Sequence, residues 1–156
     1  MMLDEQLLDT WKIHHRITLF LLDDIPAEAL NAAPETGRNV GQMLAHLHNN
    51  RLTWLEASAP DLLQELSKIP TKKKDTFDKV TLHAALEASA QAMETLFRRG
   101  FESGKIKNMK PHAAGAVGYF LAHEWYHIGE IGMTLAQVGY PLPDTVSYGL
   151  WEWGKR

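Results

Sequence analysis

Apolar residues recur along this chain at helical spacing in four long stretches, separated by breaks rich in proline and glycine. In the first, about Asp4 to Asp23, Leu7, Leu8, Trp11, Ile13, Ile17, Phe20 and Leu21 recur on this period. The segment DDIPAEALNAAPETGRN then interrupts the pattern with two prolines and a glycine. Asn39 suits the N-cap of a second helix, about Val40 to Ala59, which stops before Pro60. Asp61–Ser67 has room for one or two turns, and KIPTKKKDTFDK reads as a linker and the most mobile loop. A third helix is predicted over about Thr81 to Phe101, with Leu82, Ala85, Leu86, Ala90, Met93, Leu96 and Phe97 on one stripe, closed by Gly100 and Gly104. The fourth runs from Pro111 at its first position to Val138 and ends at Gly139, before a short tail, VSYGLWEWGKR. No segment reads as a strand. Four helices of this length in one domain, residues 1–156, predict an all-α four-helix bundle.

Composition narrows the class of function. Hydrophobic residues make up 45% of the 156, enough for a core without staples. There is no cysteine, so disulfides, thiolate zinc sites and cysteine nucleophiles are excluded. The net charge is 16 − 19 = −3, which leaves no electrostatic footprint for nucleic acid. The one basic run, Thr71–Lys74, is short, precedes Asp75 and reads as a solvated loop. The opening MMLDEQLLDTWK has acids where a signal peptide carries lysines, and Ile17–Leu22 is too short to span a bilayer. A cytoplasmic protein without membrane or nucleic-acid partners is expected.

The chemistry lies in the eight histidines. LAHEWYHIGEIG, Leu121–Gly132, contains HEWYH, a literal H-E-x-x-H. With Phe120 at the centre of the fourth helix's apolar stripe, His127 falls about 20° and His123 about 60° away, so both point into the bundle, one turn apart. Two imidazoles so placed can reach one ion. A third ligand must come from elsewhere. On the second helix His46 and His48 flank the apolar stripe on opposite sides, and spacing does not choose between them. His14 and His15 are adjacent, so one of them is expected to face outward. His83 reads as a surface or cap residue, and His112 is about three turns from His123, too far to share an ion. Glu124 lies about 40° from Phe120, where it can approach an ion, though a surface or salt-bridged glutamate is the default.

VGQMLAHLHNNRLTWLE and LAHEWYHIGEIG together resemble the DinB/YfiT family of small metal-binding helix bundles. The shared features are an apolar-x-His-apolar segment, Leu44 to Leu47, with Trp54 eight residues beyond its histidine, and a His-x-x-x-His followed by Gly129, Glu130 and Ile131. The resemblance extends over essentially the whole chain. It implies that His46, not His48, joins His123 and His127 as metal ligands. It also implies helices in up-down-down-up order and a homodimer, which Trp151 and Trp153 on the tail would suit. Two positions depart: the family often has an acid where Arg51 stands and a glutamine where Glu130 stands. Three imidazoles leave a coordination position for water or substrate. Such ligation suits zinc, nickel, copper or iron, with zinc or nickel expected, and disfavours magnesium and calcium. Glu124, Glu130, Asn49 and Asn50 are in range to accept the ligands' second ring N–H groups.

The resemblance further implies a metal-dependent enzyme, a thiol S-transferase or a hydrolase, acting on a small molecule with a low-molecular-weight thiol from outside the chain. No catalytic side chain is assigned. The alternatives are a non-catalytic metal- or ligand-binding bundle and a bundle that binds no metal. A peptidase is disfavoured because no edge strand exists to align a peptide.

Overall fold

A computed structural model describes all of residues 1–156. The chain forms six helices and no strand: α1 (Leu3–Asp24), α2 (Ala27–Asn31), α3 (Val40–Ser58), α4 (Lys79–Ser103), α5 (Ala113–Gln137) and α6 (Asp144–Gly149). The four long helices are those the apolar periodicity predicts. Their starts are set by local hydrogen bonds. Asn39 Oδ1 accepts from the Gln42 N–H at 2.8 Å while Gln42 Oε1 accepts from the Asn39 N–H at 2.9 Å, a reciprocal capping box. Asp78 caps α4 through the Thr81 N–H at 2.9 Å, two residues before the expected start. At α5 the cap is His112, whose Nδ1 accepts from the Gly115 N–H at 2.9 Å. Pro111 therefore precedes the cap instead of occupying the first helical position. The five-residue α2, behind Pro26, is too short to leave a periodic trace.

Pairwise contacts give the helix directions. Lys12, His15 and Asp23 of α1 meet Glu94, Glu87 and Lys79 of α4 in turn, so these two are antiparallel. Trp11 and His14 meet Phe120 and Glu124, so α1 and α5 are parallel. His48 and Arg51 meet Ala85 and Ser89, so α3 and α4 are parallel. His46, Asn50 and Trp54 meet His127, His123 and Tyr119, so α3 and α5 are antiparallel. The order is up-down-down-up. A parallel α3–α4 pair needs a connection that returns along a helix about 28 Å long, and residues 59–78 provide it.

That connection is tied down along its length. The Asn49 side chain bonds both the N–H and the C=O of Ile69, each at 2.8 Å. Asn31 holds Phe77 in the same two-sided way, at 2.8 Å each. Gln42 Nε2 donates to Thr71 O at 3.0 Å, and the His48 ring meets Ser67 O at 2.9 Å. Phe77 lies so close to α3 that a Cβ on Gly41 would sit 2.5 Å from its ring, which is why only glycine fits there. These bonds join the linker to the bundle at residues the hydropathy pattern cannot register.

The core is in two parts. One cluster of 19 buried residues fills one end of the bundle, including Ile17, Leu44, Leu86 and Ile131. A second, of 15, fills the other, including Trp11, Leu52, Phe97 and Phe120. Between them each long helix contributes a buried polar side chain: His14, Arg51, Ser89 and Glu124.

Candidate metal centre

His46 projects from the middle of α3, and His123 and His127 from successive turns of α5. One ligand nitrogen from each lies within 4.8 Å of the other two. His123 Nε2 and His127 Nε2 are 3.2 Å apart. Two nitrogens bound tetrahedrally to zinc at 2.0–2.1 Å stand about 3.3 Å apart, so this pair already has the right spacing. The neighbouring rings fix the imidazole planes: Tyr119 stacks on His123 at 5.9 Å, and Tyr126 meets His127 edge-on at 5.1 Å.

On His127 and His123 the remaining ring nitrogens have partners. His127 Nδ1 is 2.6 Å from Glu130 Oε2, which turns Nε2 toward the shared point. His123 Nδ1 is 3.3 Å from the Asn50 side-chain amide, whose oxygen can face the ring N–H when Nε2 is a ligand. The other two residues in sequence range are committed elsewhere, Asn49 to Ile69 and Glu124 to the core. Burial lowers the pKa of His46 to about 4, with the Arg38 charge and the two nearby imidazoles adding to it and Glu130 opposing. Burial also lowers His123, aided by His127 and Arg38. Neutral imidazoles with free lone pairs are what a cation requires.

His48 is not available. Its Nδ1 lies 2.9 Å from Ala85 O and its Nε2 2.9 Å from Ser67 O, so the ring joins α3, α4 and the crossover. Burial lowers its pKa against the opposing pull of the two carbonyls. Of the two, it is His46 that the fold brings to His123 and His127. His83 is on the surface, 3.9 Å from Asp23, as expected, and His112 is an exposed cap, a role the sequence reading did not assign it.

The reading of His14 and His15 is corrected: neither faces outward. His14 is fully buried and His15 is 7% exposed. Adjacent helical residues diverge by only about 100°, and α1 is covered on two sides, so His14 reaches α5 while His15 reaches Glu87 on α4 at 2.9 Å.

Glu124 does not approach the three histidines' shared point. It is fully buried, and Arg51 donates to it twice, Nε to Oε1 and Nη2 to Oε2, each at 2.7 Å. His14 Nε2 adds a third contact at 2.7 Å. Burial alone would raise this carboxyl's pKa, but the Arg51 charge and its hydrogen bonds prevail and hold it well below the usual carboxylate range. Arg51 also donates to Leu86 O at 2.9 Å and lies over the Trp11 ring at 5.0 Å. A carboxylate so engaged is not free to act as a general base, and HEWYH here is two clustered histidines flanking the glutamate of a structural ion pair.

His127 also lines a cavity of about 500 Å³ together with Arg38, Tyr126, Glu130 and Thr134. This opening, which His127 alone of the three histidines lines, mixes polar and apolar surface and is open to solvent. Arg38 is the residue the sequence reading missed. It falls in an irregular segment, and its only mark is its place one residue before the cap of a ligand-bearing helix.

The model of the DinB family matches residues 1–154, essentially the whole chain. No curated protein and no solved structure is detectably similar to it.

Proposed function

The chain belongs to the DinB family, and from that premise we propose that it binds one divalent cation, zinc or nickel, through His46, His123 and His127 and works as a metal-dependent thiol S-transferase. The observation that carries this is the convergence of three imidazoles from two helices beside an open cavity. The cation, when bound, would lower the pKa of a thiol and hold the thiolate as nucleophile. Glu130 fixes the His127 ring, and Tyr119 and Tyr126 limit the swing of the ligands. The chain has no cysteine, so the thiol comes from a cosubstrate.

Hydrolysis is the second reading. It is less favoured because water activation of the H-E-x-x-H kind needs a free carboxylate beside the ion. Glu124 is neutralised by Arg51, and Glu130 is held by His127. A binding module without turnover fits the open mouth less well than an enzyme does.

No helix is long and apolar enough to cross a membrane. A cytoplasmic location and a homodimer belong to the same proposal. Trp151 and Trp153 stack back on Trp125, yet Trp151 stays 72% exposed, which supports pairing on that side. The test of function is a screen of zinc- or nickel-loaded protein with several biological thiols and a generic electrophile such as 1-chloro-2,4-dinitrobenzene. Metal-dependent S-arylation, lost in His46→Ala, supports the proposal. Turnover indifferent to chelator sinks it.

A further inference from the structure

The loop between α2 and α3 is a partition between two cavities. Thr36, Gly37 and Arg38 line the 500 Å³ cavity that contains His127 and Glu130. The same three residues line a neighbouring cavity of about 400 Å³, whose opposite wall carries Lys73 and Lys74 from the crossover. Arg38 therefore borders both spaces. The first cavity is also lined by His127, which puts Arg38 and one of the three histidines around the same space.

Arg38, Lys73 and Lys74 form none of the chain's ion pairs, whereas Arg51, Arg98, Arg99 and Arg156 are each paired with a carboxylate. The acids in these walls are equal in number and partly engaged. Glu130 is held by His127 at 2.6 Å, and Asp75 Oδ2 accepts from the Lys72 N–H at 2.6 Å, leaving Glu35. Three cations face three carboxylates, two of them already engaged, and a dication at the histidines would tip this balance to positive. The crossover that presents the lysines is held on both sides of them, by Gln42 at Thr71 and by Asn31 at Phe77. Gly37, at φ 86°, sets the turn that presents Arg38.

We propose that Arg38, backed by Lys73 and Lys74, is an oxyanion-binding arm of the site. The ligand of the three-histidine centre would then be a small molecule bearing a carboxylate or phosphate at some remove from its reacting atom. The planar guanidinium fork matches either group in a bidentate way, and the lysines add charge without demanding a geometry. This deepens the reading of the site as a metal-dependent thiol centre and rests on it.

The test uses the cobalt-loaded protein, whose visible spectrum reports a thiolate on the ion, and two probes, mercaptosuccinate and the uncharged thioglycerol. Mercaptosuccinate is expected to bind at least about tenfold more tightly, the scale of one good charge-assisted contact. In Arg38→Met that preference should collapse with full metal content retained, and in the Lys73→Met/Lys74→Met double variant it should shrink. Equal affinities in the unmodified protein, or a preference that survives Arg38→Met, would overturn the proposal. Calorimetry with succinate and with inorganic phosphate on the zinc-loaded protein separates the two anion sources. It also separates the two readings. If neither thiol gives a thiolate band, the thiol reading fails. The oxyanion arm then stands if succinate or phosphate binding depends on Arg38, and falls if it does not.

Discussion

His46 and His48 are two positions apart on one helix and have opposite fates. The first reaches His123 and His127, and the second bonds two backbone carbonyls. Replacing His46, His123 or His127 with Ala should abolish tight metal retention, because two remaining imidazoles rarely hold an ion. His48→Ala should keep the metal but lose stability, about 1–3 kcal/mol for the one carbonyl to which the neutral ring can donate. Elemental analysis after dialysis and urea unfolding of the four variants decide this. Metal kept in His46→Ala and lost in His48→Ala would reverse the assignment. Glu130→Ala should weaken metal affinity by about 10–100-fold, the usual effect of losing a partner that orients a ligand, and a competition titration with a chelator would measure it. At this scale angular position around α5 made His123 and His127 legible. The His46–His48 choice was not legible from spacing, because it depends on which side of α3 faces α5 and which faces the crossover.

Between elements, the dominant contact is Arg51 to Glu124, which joins α3 to α5 in a fully buried setting. Removing one partner leaves a stranded charge. Glu124→Gln is therefore expected to cost about 3–5 kcal/mol, whereas an apolar pair such as Arg51→Met with Glu124→Leu should cost much less. Equilibrium urea unfolding of the single and double variants checks the difference, and equal losses would contradict it. The long helices were legible because their stripes repeat over many turns. Their ends were less so: His112, not Pro111, begins α5, since a ring nitrogen at a cap is not a standard sequence signal. The burial of both His14 and His15 escaped the pattern because period alone does not say how many neighbours a helix has.

For the whole molecule, buried histidines link stability to pH. His15 has its pKa lowered from 6.5 to about 4, by burial first and by the Arg51 charge, with the Glu87 hydrogen bond opposing. A lowered pKa means the unfolded chain binds the proton more readily. Stability is then full above pH 6.5 and falls as pH drops toward 4, by up to about 3 kcal/mol from this residue. Glu124, whose carboxyl is depressed further, adds a loss at still lower pH of the same sign. Thermal melts from pH 7 to 4 should show the decline, and His15→Gln should flatten it; an unchanged slope would count against the assignment. The bundle architecture was legible in the spacing of apolar residues. The direction of α4 was not, since a parallel neighbour depends on a crossover whose ties come from single side chains, Asn31, Gln42, His48 and Asn49.

The polar seam that splits the core has a mechanical consequence. Were α3 to slip one turn along α5, about 5.4 Å, a buried guanidinium and a buried carboxylate would each lose the charge that faces it. The seam acts as a key that admits one axial phase of the two rods and rejects the next. His46 stands five residues from Arg51, and His123 and His127 one and three from Glu124, so the three imidazoles inherit their alignment from a bond that none of them makes.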